Sequence, residues 1–581
     1  MTFLIRSHLF LLALLPGLVV TACGQDARYA TEALGDRVSF LCPGDPSGVC
    51  DFSDETELRV GAAAVNISPT AYETWVDVDG SGHYSAAIDT YLDCGLDRLC
   101  AEDAGYPGPD EGEGDGQFAA LWLAGFGNSR PMQGVADALW ARATVLEQGN
   151  TRIGVVSVDL VGFFYNHTLR VREEARQQLD LDHVIVSATH VHEAPDTLGQ
   201  WGPNIARSGA DPGFMEQVHA GIQSALSTAL EAAVPARVHG GSYSIPAEAW
   251  SGKGINNINR DHRDPQITDE TIWTARFIAQ DSGQTLATWV NFPNHPEASG
   301  SRNVLVTADF AHSLRETVEM GASQGPDGPL EGLGGVAIYI QGACGGMMTP
   351  LSVDVEDLDG TVYSESSIEK AYAVGRVTGY HALQAVAADV QSESNQLSIR
   401  AKQLFVPVQN SGFHVLMNAG VFDRPGYNYD KGELFGAWNE PDLLTEVSLL
   451  EIGDVAALTL PGELLPELAI GGYGGQHTGP LDVLVDPANP NPPDLDDAPQ
   501  GPFLQDLTPG KTKMLFGLGN DEIGYLIPDY NFILHPTSPY LNEADGDHYE
   551  ETNSVGALGS GVVLGDLERL LEWSPPGGAS P

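Results

Sequence analysis

Residues 153–192 read IGVVSVDLVGFFYNHTLRVREEARQQLDLDHVIVSATHVH, and the change of period inside them decides the fold. Ile153–Val161 is an almost unbroken apolar run, the pattern of a strand buried on both faces. His167–Leu179 switches to the spacing of an amphipathic helix, and His183–Thr189 returns to a β-branched apolar run. The alternation continues outward. Phe214–Ala233 reads as a helix, Thr285–Phe292 as a strand, Ala308–Met320 as a helix and Gly335–Gln341 as a strand. Ile368–Val390 reads as a helix, Val447–Leu460 as extended chain and Asp566–Trp573 as a closing helix. This order predicts an α/β fold: a mixed or mostly parallel sheet sandwiched by helices, in a single large domain with acidic loop insertions. The insertions are residues 77–116 and Asp486–Phe503; in the second, repeated prolines forbid a helix interior or a central strand.

Unusual polar residues collect where strands end. The strand at 183–188 runs into Thr189-His190-Val191-His192-Glu193, and the strand at 285–292 into Asn294-His295-Pro296-Glu297. The strand at 335–341 runs into Gly346-Met347-Met348-Thr349-Pro350, the extended chain ending at Leu460 into Pro461-Gly462-Glu463, and Met514–Gly519 into Asn520-Asp521-Glu522-Ile523-Gly524-Tyr525. In open α/β sheets, ligands bind beyond the carboxyl ends of strands. Imidazole with carboxylate is a ligand set that suits zinc. Spacing alone does not join these segments. A histidine after a strand is commonly a hydrogen-bonded structural residue, Glu463 sits where a carboxylate would stabilise a following helix, and Tyr525 reads equally as a core aromatic.

The chain has 581 residues, more than one ordinary domain of about 100–200. Its 28 Lys+Arg against 79 Asp+Glu give a net charge of −51, which disfavours nucleic acid or an anionic membrane held through a broad basic face. With 42% hydrophobic and 18% charged residues, the composition is that of a globular protein. Arg6 and His8 precede the apolar run Leu9–Val20, which is shorter than the roughly 20 residues a membrane span needs. Val20-Thr21-Ala22-Cys23 follows at once and looks like a bacterial lipobox. The expected organisation is a lipoprotein signal peptide over 1–22, acylation of Cys23 and a tether over 23–55. The expected location is a bacterial envelope (outer membrane or cell surface) by way of that anchor, or secretion. Export permits disulfides, and the simplest pairing is Cys42–Cys50 and Cys94–Cys100, although four cysteines allow three pairings. Cys344 is left as a buried free thiol.

Taken in order, certain segments resemble the zinc-bearing catalytic domain of the neutral/alkaline, non-lysosomal ceramidases. They are Val60–Pro69, Leu139–Ala143, Thr189–His192, Asn291–Pro296, Asn303–Asp309, Gly346–Pro350, Pro461–Glu463, Tyr525 and Tyr549–Gly556. The resemblance implies one ceramidase-like hydrolase domain over 56–575, with Zn²⁺ held by His190, His295, Glu463 and Tyr525. It implies hydrolysis of the amide bond of an N-acyl lipid such as ceramide by metal-activated water. His192 then lines the site near the metal, to hold charge or carry a proton to the leaving amine. Arg260 matches an arginine that contacts substrate, and Thr349 falls on the family's catalytic serine, where its hydroxyl would bond the attacking water or the developing oxyanion. The implied partners are a lipidic N-acyl substrate and, through Cys23, a membrane; no nucleic acid is expected.

The departures are specific. Thr349 replaces serine, Met347 replaces aspartate, Glu193-Ala194-Pro195 stands for Ser-Gly-Pro, and Asp261 replaces serine. The family's immunoglobulin-like C-terminal domain is not expected. Two alternatives stay open: a zinc hydrolase of a different amide or ester, and a non-catalytic, ligand-binding surface lipoprotein. Independently of the resemblance, Asp77, Asp79 and Ser81 alternate before Gly82 like the first half of an EF-hand loop, although the twelfth position is Ile88. They are candidate Ca²⁺ ligands or part of a solvated acidic loop.

Overall fold

The computed structural model describes residues 40–45 and 56–573. The expected signal peptide, Cys23 and all of the expected tether except 40–45 lie outside the described residues, and so does Cys50 of the expected Cys42–Cys50 pair. Cys42 itself is disulfide-bonded. Cys94 and Cys100 are bridged, and Cys344 is free and buried.

The principal strands are β1 Arg59–Asn66, β2 Trp140–Gln148, β3 Thr151–Val158, β4 His183–Ala188, β5 Val234–Ser244 and β6 Thr271–Ala279. They continue with β7 Thr285–Phe292, β8 Val336–Gln341, β9 Leu397–Pro407, β10 Asp442–Ile452, β11 Val455–Thr459 and β12 Thr512–Phe516. The principal helices are α1 Tyr165–Leu179, α2 Pro212–Glu231, α3 Phe310–Met320, α4 Ile368–Ala387, α5 Ser411–Asn418 and α6 Leu558–Glu572. One sheet runs β8-β7-β6-β5-β1-β2-β3-β4, and a second runs from Phe40–Leu41 through β9-β10-β11 to β12. Only β7·β8, β3·β4 and β11·β12 pair in parallel among these neighbours. The sheets are therefore mixed, with antiparallel pairs predominating. Strands β5 and β1 share only the Arg59–Pro235 and Val60–Val234 pairs, so the first sheet is continuous there at a corner.

The side-chain alternation of β8 shows how the layers stack. Ile338 and Ile340 enter a core shared with Ile399, Leu450 and Met514 of the second sheet. Ala337 and Tyr339 face the opposite way, into a core with α3 and α4. Helices α1 and α2 cover β1–β4, and α6 covers the outer face of the second sheet. The expected α/β fold of mixed sheet covered by helices is present, built on two stacked sheets with helices outside them. A strand buried on both faces reads the same whether a helix or another sheet covers it. Gly61 permits the close approach of α2, because a Cβ there would fall 1.9 Å from the Ala229 carbonyl.

Three element readings change. The helix from Ile368 ends at Ala387, and Val390–Gln391 pairs with β5. The stretch 447–460 is two strands folded at Gly453, which takes a left-handed φ of 58°. The last helix begins at Leu558, where Gly559, Gly561 and Gly565 hid it. Asp486–Phe503 contains no helix or strand, as its prolines demand.

A buried charge cluster ties α1 to the second sheet. Arg172 donates to both Glu446 oxygens at 2.8 Å, and the Tyr165 hydroxyl donates to one of them at 3.0 Å. Burial alone would raise the Glu446 carboxyl, but Arg172 and His183 outweigh it and hold it below the usual carboxylate range. A depressed folded-state value contributes stability above the unfolded value of about 4.3, and that stability is lost as pH falls toward the folded value. Glu446→Gln is expected to flatten the acid limb of a stability–pH curve below about pH 4.5. An unchanged limb in urea titrations would show that the cluster contributes nothing there.

Candidate metal centre

Each candidate ligand follows a strand end, and the loops are held by one another. After β4, His190 adopts a left-handed φ of 68°, a conformation that non-glycine residues hold only when their surroundings impose it. Here its amide donates to Leu160 O at 3.0 Å, and its Nδ1 donates to Val161 O at 2.7 Å, both on the turn after β3. His295, after β7, donates from its amide and from Nδ1 to Met348 O, at 2.9 and 2.8 Å. Glu463 and Tyr525, after β11 and β12, are direct register partners in a short parallel ladder.

With Nδ1 committed to a carbonyl, each histidine turns an Nε2 lone pair into the site. His190 Nε2 lies 3.3 Å and His295 Nε2 3.1 Å from the same oxygen, Glu463 Oε2. The Tyr525 hydroxyl oxygen lies 3.5 Å from His295 Nε2. A third imidazole joins them: His192 Nε2 is 3.4 Å from His190 Nε2, and the nitrogens of His190, His192 and His295 lie within 4.8 Å of one another. Ligands held about 2.0–2.1 Å from a tetrahedral zinc ion stand about 3.3 Å apart. Two lone pairs facing one carboxylate oxygen repel unless a proton or a metal cation lies among them. The donor set therefore fits a divalent metal such as zinc.

The electrostatics agree with that geometry. Burial would lower His190, but Glu463 outweighs it and raises the imidazole to about 9. Glu463 is lowered by the two histidines despite its burial. Burial lowers His192 to about 4, against the pull of Glu297, whose Oε2 stands 3.2 Å from His192 Nδ1. Glu297, which burial would raise, is held at about 2 by His192, His295 and a hydrogen bond from Thr349. The structure thus brings His190, His192, His295, Glu463 and Tyr525 together, with Thr349 joined to them through Glu297. Glu297 was legible only as a polar residue beside His295, because nothing in its spacing announces the contact with His192.

Thr349 is buried, its backbone pairs with Arg260 in both directions (3.2 and 3.0 Å), and its Oγ1 accepts the Leu351 amide at 3.2 Å. Arg260 directs its guanidinium to Asp482, Nε to Oδ1 2.6 Å. Asp261, in place of the expected serine, accepts the Arg263 and Ile267 amides at 2.9 Å each and shapes that turn. Glu193 forms a fully buried ion pair with Arg130 at 2.9 Å. The Tyr525 hydroxyl donates a hydrogen bond to the Met347 sulfur at 3.4 Å.

A cavity opens beside the cluster, with His190, His192, Glu463 and Tyr525 in its wall. Much of the remaining lining is apolar, including Phe164, Leu198, Phe413, Met417, Phe422 and Leu443. Helix α5, which sequence periodicity did not reveal, supplies Phe413 and Met417. In the 77–116 insertion, Asp77, Asp79 and Asp89 carboxylates lie within 4.8 Å of one another. Ser81 turns its hydroxyl to the His83 carbonyl at 3.0 Å. Asp89, one residue past the twelfth loop position, is the carboxylate the linear pattern missed.

The neutral ceramidase of Pseudomonas aeruginosa superposes with a TM-score of 0.52 at 14% identity, covering 91% of this chain and 77% of that one. A ceramidase complexed with C2 superposes at 0.51 and 13% identity, covering 90% and 77%. The fold is that of the neutral ceramidases. No protein-family model and no curated protein sequence matches the chain. No helix among the described residues is long and apolar enough to cross a membrane.

Proposed function

We propose that the chain is a zinc-dependent amidohydrolase that cleaves the amide bond of an N-acyl lipid such as ceramide with an activated water. The observation that carries this reading is the meeting of His190, His295, Glu463 and Tyr525 beside an apolar cavity. Bound there, zinc supplies Lewis acidity that activates water at neutral pH and polarises a carbonyl. The chain's own residues do the rest. The apolar walls hold the acyl chain and exclude bulk water. His192 keeps its Nε2 free of protons near neutral pH and takes or returns one there, oriented by Glu297 through Nδ1. The Thr349 hydroxyl, shared with Glu297, steadies the developing oxyanion. Arg260, fixed beside Thr349, receives a polar group of the substrate.

The test is a hydrolysis screen of N-acyl-sphingoid and N-acyl-amino-acid substrates, with and without a chelator. Chelator-sensitive release of fatty acid that zinc restores is the expected result. No turnover of any amide by protein of full zinc content would sink the reading. We further propose anchoring at Cys23: Cys23→Ser should move the protein from the membrane to the soluble fraction, and an unchanged fraction would refute it. Calcium is proposed for the 77–116 insertion. Calcium is expected to raise the melting temperature of the parent but not of Asp77→Asn, and equal shifts would reject the site.

A further inference from the structure

The cavity wall beside the candidate metal centre carries a carboxyl group that the proposed reaction leaves unused. Glu522 lies in the segment between β12 and Tyr525, is 5% exposed and lines the cavity with His190 and Glu463. Its Oε1 accepts the Gly524 amide at 2.6 Å. Its Oε2 is buried and has no hydrogen-bond partner. The side chain is held in place. A Cβ on Gly162 would come within 3.0 Å of its Cβ and Cγ, and Arg424 binds its backbone carbonyl at 2.9 Å and Asp521 at 3.0 Å.

An unpaired buried oxygen makes the wall selective. A plain alkyl chain lying against Oε2 would leave that oxygen without a partner and gain nothing there. A chain that carries a hydroxyl at that point restores the bond. A hydroxyl both donates and accepts, so it satisfies Oε2 whether or not the carboxyl holds a proton. An ammonium only donates, and the Arg424 guanidinium in the same wall opposes a second cation. Because Glu522 shares the cavity wall with the candidate ligands, the hydroxyl belongs near the scissile carbonyl and not at the far end of the chain.

We propose that Glu522 is a specificity-determining residue that selects N-acyl substrates whose acyl chain bears a hydroxyl next to the scissile carbonyl; this rests on the N-acyl-lipid reading above. Fatty amides of equal length, with and without a 2-hydroxyl, are titrated calorimetrically against the zinc-loaded parent, Glu522→Leu and Glu522→Gln, with zinc content measured on each. The parent is expected to bind the 2-hydroxy amide about tenfold more tightly than its plain partner. Glu522→Gln, which keeps both hydrogen-bonding functions, should retain most of that ratio, and Glu522→Leu should lose it. The same ratio in the parent and the leucine variant overturns the proposal, and so does failure of the parent to bind either amide. Loss of zinc from the leucine variant also overturns it, since Glu522 would then belong to the metal centre. The titration reads binding without turnover, so absence of hydrolysis alongside a Glu522-dependent ratio would count against the amidohydrolase reading alone.

Discussion

Glu463→Ala is expected to empty the metal centre: from about one zinc per chain to almost none, with hydrolysis falling roughly a thousandfold or more, because water then keeps its ordinary acidity. Glu463 is singled out because its Oε2 is the atom that both His190 and His295 face. Removing it leaves imidazole lone pairs without their shared carboxylate and deprives Tyr525 of its register partner's charge. Metal analysis after dialysis, with activity measured in parallel, decides it. A variant that keeps its zinc would show that His190, His192 and His295 hold the ion without Glu463, since their nitrogens also lie within 4.8 Å of one another. Folding is expected to survive, as Glu463 is bound at the end of a short ladder and not within either principal sheet.

The second large effect is expected at Thr349. Valine has nearly the same shape and no hydroxyl, so Thr349→Val loses the bond to Glu297 and the acceptor for the Leu351 amide at 3.2 Å. The expected result is loss of most of kcat with zinc content intact, at a stability cost of about 1–2 kcal/mol for the bonds left unmade. Thr349→Ser restores the hydroxyl and should keep much of the rate, with a wider substrate range where the methyl is missing. The hydroxyl also caps the turn before Leu351, so a structural share of the effect is built in. Rate and melting temperature separate the two. A valine variant as active as the parent would remove Thr349 from the mechanism and leave it as a turn residue.

Much of the alternation was legible because period alone distinguishes an amphipathic helix from a doubly buried strand. β7 was read with both ends correct, and β4, α1, α3 and β8 within two residues. Helix α5 was not read, because its eight residues and two polar ends carry too little periodicity. The antiparallel majority was hidden for another reason: strand direction is set by connections and partners, and a buried strand has the same composition in either direction.

For the site, residue identity went far. The histidines, the carboxylate and the tyrosine stood at strand ends, and their order matched a known arrangement. What the linear order determined was which chemistry was available: imidazole, carboxylate, phenol and hydroxyl on loops beyond strands. What the tertiary structure alone decided was which of those groups touch. His190 and Glu463 are 3.3 Å apart although they lie on loops of different sheets, and His192 reaches Glu297 across two loops at 3.2 Å. The unpaired oxygen of Glu522 exists only because the folded wall removes it from water. Sequence specifies donors and acceptors one residue at a time, but pairing, burial and the lack of a partner are properties of distance, and only packing sets distance.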